Sequence, residues 1–186
     1  MTRLTFDPAQ DNASPVWSAD GSRIAYASRR GGRRGLFARR ADGAGDEEPL
    51  AVEHDLPASI MDWGADWLLF GVDDDAGGWD IWLRLSQGTA PLIHTSFRES
   101  TAQVSPDGRW IAYQSEETGR SEVYVRAFPS LAGKWQVSTA GGVAPRWRAD
   151  GRELFFFERF GDTWMSVASK SSMWTTPAAR ASRPVC

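Results

Sequence analysis

Four short segments of this chain repeat one another, and no other feature limits its fold so strongly. SPVWSADGSRIAYAS begins at Ser14, ASIMDWGADWLLFGV at Ala58, TAQVSPDGRWIAYQS at Thr101 and VAPRWRADGRELFFF at Val143. Each carries an aspartate at a turn, namely Asp20, Asp66, Asp107 and Asp150, so the intervals are 46, 41 and 43 residues. In three copies a glycine follows that aspartate. Asp-Gly suits a tight hairpin, because glycine reaches positive φ at little cost. The second copy, DWGADWLLF, is shorter and lacks that glycine.

Around each turn the chain alternates apolar and polar residues with the period of a β-strand. The third unit supplies four strands, A to D: TAQVS, RWIAYQS, SEVYVRAF and KWQVSTA. The first reads SPVWS, RIAYAS, GLFARRA and EPLAVEH; the second reads IMDWG, WLLFGV, DIWLRL and APLIHTS. The fourth offers only APRWR, ELFFFER and TWMSVAS, while RLTF (Arg3 to Phe6) resembles strand D of a preceding unit. Four strands every 40–45 residues are the mark of propeller blades. Ten Trp, nine Phe, 18 Gly and 10 Pro fit the many short strands and turns of such a protein.

The expected fold is therefore all-β: a partial β-propeller of four-stranded antiparallel blades, three full blades plus most of a fourth. One segment, residues 1–168, holds blades at about 14–56, 57–98, 99–141 and 142–168, and residues 169–186 read as an aberrant or disordered tail. A single blade cannot bury both faces, so copies must stack side by side. Trp17, Trp63 and Trp147, with Val104 in the third copy, occupy the end of strand A and are expected to pack between blades.

The segments SPDGRWIAYQS, SEVYVRAFP, KWQVSTAGG and PRWRADGRELFFF resemble the repeats of TolB-like β-propellers. They are most similar to the propellers on the C-terminal side of bacterial serine/threonine protein kinases, and similar repeats build the propellers of prolyl-oligopeptidase-type peptidases. The resemblance covers roughly residues 3–169 and is most specific from Thr101 to Phe157. It implies a module that mediates protein or ligand recognition. Family propellers usually have six or more blades, so this chain reads as a piece of a larger propeller or as an arc that a partner closes. Open blade edges make self-association an expectation.

The sequence offers little catalytic chemistry. It contains no G-x-S-x-G nucleophile elbow and no H-R-D or D-F-G kinase motif. The expectation is a non-enzyme without cofactors or a metal site. His54 and His94, the only histidines, fall 40 residues apart on equivalent outer strands. Asp73, Asp74 and Asp75 form one acidic run, but the D-x-D-x-D-G spacing of a calcium loop is not met. The net charge of −3 gives no pull toward nucleic acid, and no aromatic residue interleaves the RRGGRRG loop. The start, MTRLTFDPAQDN, has no apolar signal core, and no run approaches the ~20 apolar residues of a membrane span. No membrane insertion is expected. TolB-like proteins are often periplasmic or extracytoplasmic, and the sequence does not assign a compartment. Cys186, the one cysteine, cannot form an internal disulfide.

Recognition residues are then expected on loops, since strand interiors are taken up by packing. In a propeller the B–C and D–A loops emerge on one face. That face would collect residues 29–35, 73–78 and 116–120 from B–C loops, with 7–13, 97–100 and 140–142 from D–A loops. The candidate contacts are Arg29, Arg30, Arg33, Arg34, Asp73, Asp74, Asp75, Glu116 and Glu117, and the expected partner is a protein or peptide. The alternative reading is the accessory propeller of a prolyl-oligopeptidase-like hydrolase that lacks its catalytic domain here.

Overall fold

The computed structural model describes residues 5, 11–30, 33–50, 57–73, 78–160 and 163–170, without the side chains of 11, 57, 58 and 159–170. The described residues form strands and turns, with no helix. The chain divides into two compact units, Met1–Glu99 and Ser100–Cys186. The first holds the sheets β1(Asp11–Trp17)–β2(Arg23–Arg30)–β3(Arg33–Arg40)–β4(Glu48–Pro49) and β5(Pro57–Trp63)–β6(Leu68–Asp73)–β7(Trp79–Leu85)–β8(Gly88–Ile93). The second holds β9(Glu99–Val104)–β10(Trp110–Ser115)–β11(Glu122–Ala127)–β12(Trp135–Gln136) and the three-stranded β13(Val143–Trp147)–β14(Glu153–Phe160)–β15(Thr163–Lys170). Consecutive strands pair antiparallel, as the repeat predicts. The RLTF segment apart from Thr5, His54 and the tail from residue 171 lie outside the described residues.

The Asp-Gly turns show why three of the four repeats share a spelling. Gly21, Gly108 and Gly151 take φ of 69°, 69° and 70°. Their amides donate to the carbonyls of Ser18, Ser105 and Arg148. The aspartate caps the turn from inside: Asp20, Asp107 and Asp150 accept from the amides of Ser22, Arg109 and Arg152 at 3.0, 3.2 and 3.0 Å. Ser18 and Ser105 hydroxyls each donate to the same aspartates at 2.6 Å. These bonds hold the Asp20 carboxyl at about 2, with the Ser18 hydroxyl contributing most. In the second repeat the amide of Gly64 reaches the carbonyl of Trp67 at 3.0 Å, which closes a shorter turn. There the Trp67 ring occupies the space a side chain at Gly64 would need.

Within each unit, large residues of one sheet fill the space left by small residues of its neighbour. In the first, Ala25, Ala27 and Ala38 share a buried cluster with Leu68, Phe70 and Val72. In the second, Ala112, Val123 and Val125 meet Trp147, Leu154 and Phe156. Fully burying a Leu or Phe stabilises by about 1.5–3 kcal/mol, so these clusters hold the paired sheets together. Trp147 adds direction: its amide donates to Gln103 Oε1 at 2.6 Å and its indole to the Gln103 carbonyl at 3.1 Å.

Three features depart from the sequence expectation. Trp63 and Trp147 do pack between sheets, and Val104 is buried, but Trp17 is 58% exposed. The tryptophan at this position faces the preceding sheet, and no described sheet precedes β1 in its unit. The outer strand β12 is only two residues long, against seven expected, while four residues of the seven expected for β4, 51–54, lie outside the described residues. Beyond Gln136 the Val137 amide still bonds the Val123 carbonyl at 2.8 Å, but the Val123 amide donates to the Ser138 hydroxyl instead of a backbone carbonyl. A side chain thus ends the ladder. Finally, Ser14, Thr101 and Ala144 have φ of 53°, 48° and 53° at equivalent points of strand A. Register shifts at Ala13/Val16 and Val143/Arg146 mark bulges there.

Candidate recognition clefts at the loop end

Each unit opens a cleft where strand B ends, strand C begins and strand A enters. In the first unit the cleft has a volume of about 240 Å³ and is lined by Ala13, Ala27, Ser28, Arg29, Arg34, Asp73 and Trp79. Three of the residues singled out from the sequence, Arg29, Arg34 and Asp73, therefore line one opening, but not as loop residues: the strands run further than expected, so Arg29 and Arg30 close β2, Arg33 and Arg34 open β3, and Asp73 closes β6. Period-two alternation sorts the four arginines. Arg29 pairs with Arg34 and Arg30 with Arg33, so neighbouring pairs project to opposite faces of the sheet.

The two pairs have different surroundings. Arg30 donates to both carboxylate oxygens of Glu47, one of them at 2.6 Å, and its guanidinium lies 3.6 Å from the centre of the Phe37 ring. Its Nε donates to Ser28 at 3.0 Å. Tyr26 donates to the same Glu47. Arg30 holds the Glu47 carboxyl below the usual carboxylate range, and burial, reinforced by Glu47, pushes the Tyr26 hydroxyl up to about 12. Arg30 is thus a structural ion-pair member. Arg33 is exposed. Among the described residues, Arg29 and Arg34 make no ion pair. Asp74 and Asp75 lie outside the described residues.

Beside this cleft, Asp80, the second residue of β7, is a buried carboxylate, and His94 Nδ1 lies 2.6 Å from its Oδ2. The Trp79 ring occupies the space above Gly71, where any side chain would collide with it, and Arg98 stacks 5.0 Å from that ring.

In the second unit the corresponding cleft is lined by Arg120, Ser121, Ala140, Gly141, Gly142, Val143 and Phe157. Here the carboxylate that opens strand C is Glu122, fully buried. It accepts from Arg120 Nε at 2.6 Å, from the Gly141 amide at 3.1 Å and from the Ser138 hydroxyl. Glu116 accepts from Ser121 at 3.2 Å, and Glu117 is paired with Lys134, whose ammonium lies 4.6 Å from the Tyr124 ring centre. Both acids are therefore engaged within their own blade.

Sequence reading missed the buried carboxylates Asp80 and Glu122. Their shared position, immediately before the apolar run of strand C (DIWL and EVYV), was the available signal. Among the described residues no group of three or more His, Cys, Asp or Glu is placed to hold a metal, and no helix is long and apolar enough to cross a membrane.

No family model and no curated protein matches the sequence. Solved structures do match. A TolB-type protein from Agrobacterium tumefaciens superposes with a TM-score of 0.74 at 18% identity, over 85% of this chain and 61% of that one. TolB from Acinetobacter baumannii gives 0.68 at 16% identity, over 88% of this chain and 42% of that one. A prolyl endopeptidase structure gives 0.66 at 14% identity, over 92% of this chain and 27% of its own. The chain thus spans less than two thirds of the length of these neighbours. At such identities the likeness speaks for architecture alone: the sheets of this chain are blades of a TolB-like β-propeller.

Proposed function

We propose that the chain is a non-catalytic recognition module that binds a protein or peptide partner through the end carrying its B–C and D–A loops. The observation behind this reading is the first unit's cleft, where Arg29, Arg34 and Asp73 line one opening while the strand interiors are filled by packing. A rigid sheet scaffold with polar loops at one end is a common arrangement for binding. The arginine and acidic loops together favour a polar, peptide-like partner over a purely apolar one. On the spelling of its turns and strands, SPDGRWIAYQS above all, we read the chain as part of a larger propeller of the kind attached to bacterial serine/threonine kinases. A kinase domain upstream in the genomic reading frame supports that parentage, and a G-x-S-x-G domain downstream replaces it with the hydrolase-accessory reading.

Selection from a random peptide library displayed on phage tests the binding role. Selected peptides are expected to lose affinity on Arg34→Glu or Asp73→Lys and with rising salt, since exposed charges are screened over about 8–10 Å at physiological ionic strength. They should ignore Gln136→Glu on the outer strand β12. Binders that respond only to the outer-strand change would overturn the assignment of the face. Turnover of a peptide or ester substrate that disappears with a single cleft substitution would replace recognition with catalysis.

A further inference from the structure

The first unit's cleft carries a pair of like charges that no ion pair among the described residues neutralises. Arg29 and Arg34 are direct partners across β2 and β3, and both line the opening. Directly opposed residues of an antiparallel pair have Cβ atoms about 4.5–5.5 Å apart, close enough for like charges to repel. The adjacent arginine pair differs, because Glu47 neutralises Arg30. Among the described residues nothing does the same for Arg29 or Arg34.

On the reading that this end of the blades is a recognition surface, we propose that the cleft binds a small zwitterion, a free amino acid or a dipeptide. Its carboxylate sits between Arg29 and Arg34 and its ammonium faces Asp73. Two guanidiniums offer planar donor forks that match a carboxylate, and a bound anion cancels their mutual repulsion. Asp73 on the same lining supplies the opposite sign, which favours a ligand carrying both charges and disfavours a multiply charged anion such as phosphate. Ala13, Ala27 and Trp79 supply apolar wall for an aliphatic side chain. A volume of about 240 Å³ lies below the ~300–1,000 Å³ of ordinary ligand pockets, so the ligand is small.

Titration calorimetry on the whole chain at low ionic strength tests this with L-leucine, glycyl-L-leucine, L-leucinamide, N-acetyl-L-leucine and inorganic phosphate. Saturable binding of leucine or of glycyl-leucine is expected, and which of the two binds tighter identifies the source. Leucinamide, which lacks the carboxylate, should bind about tenfold more weakly or worse, and Arg29→Gln and Arg34→Gln should each cause a similar loss. Arg33→Gln, on the opposite face, should change nothing. Asp73→Asn should remove the preference for leucine over N-acetyl-leucine. Unchanged near-ultraviolet circular dichroism keeps each variant interpretable, and a variant that fails this check is replaced by the corresponding lysine or glutamate substitution. The inference falls if neither zwitterion binds, if binding survives both arginine substitutions, or if phosphate binds as tightly as leucine. Should the zwitterions fail while library-selected peptides still depend on the loops, only this inference is lost. If both fail, the recognition surface is lost with it.

Discussion

The two units treat the same end of the blade in opposite ways. In the second, the charge that opens strand C is turned inward: Glu122 is fully buried and held by Arg120, Ser138 and the Gly141 amide. In the first, Asp80 is likewise buried beside His94, but the neighbouring blade presents Arg29 and Arg34 outward without a partner among the described residues. A buried carboxylate must be satisfied or the fold suffers, so Glu122 belongs to stability. A surface guanidinium with no ion pair among the described residues is open to a ligand. One repeat can therefore serve as structure and its sibling as receptor.

Stability measurements in urea can break this comparison. The largest loss is expected from Trp147→Ala, which removes a buried indole together with that ring's bond to the Gln103 carbonyl and should cost about 3–5 kcal/mol. Trp17→Ala, at the equivalent but exposed position, should stay within about 0.5 kcal/mol. Equal losses would mean that Trp17 is covered in solution, and light scattering would then distinguish self-association from another cover. Next comes Glu122→Ala, expected to cost about 1.5–3 kcal/mol by removing a charged acceptor of several hydrogen bonds. By contrast, Arg34→Gln should leave stability unchanged or raise it by up to about 1 kcal/mol, as a cross-strand repulsion is relieved. A clear destabilisation there would make the arginine pair structural and erase the contrast between the units.

The smallest effect concerns acid. Asp20 has its folded value lowered from 3.8 to about 2 by the Ser18 and Ser22 bonds. A lowered folded value means that its contribution is fully present above about 4 and is lost as pH falls through about 2. Wild type and Asp20→Asn should therefore differ in stability at pH 6, and the difference should vanish as pH approaches 2. A difference that grows on acidification would contradict the turn geometry.

The blades were legible in the sequence because their signals are local. The Asp-Gly pair declares a turn, and alternation declares the strands beside it. The shortness of β12 was not legible: KWQVSTA has strand-like alternation, and only the fold reveals that the Ser138 hydroxyl takes a bond the ladder would use. The positive φ of Ser14, Thr101 and Ala144, which falls at a bulge in the first and fourth repeats, has no glycine to announce it. For the candidate site, the sequence could name the arginine and aspartate loops but not divide them. Which arginines face the cleft depends on the pairing of Arg29 with Arg34, and which are neutralised depends on Glu47, 17 residues beyond Arg30.

The Asp-Gly turns bear on the order in which the chain folds. Every bond that caps the turns at Asp20 and Asp107 comes from a residue within two positions of the aspartate, and the closing amide bonds at Ser18, Ser105 and Arg148 span five. Contacts this local incur little loop-closure entropy and form on the microsecond scale of isolated hairpins. The second repeat has a differently built turn, so its hairpin gains more from the sheet beside it. Folding should thus start at the first, third and fourth hairpins, with the second blade assembling on the first. Gly108→Val should slow refolding more than it speeds unfolding, whereas Leu68→Ala, in the packing between the first two sheets, should act mainly on unfolding.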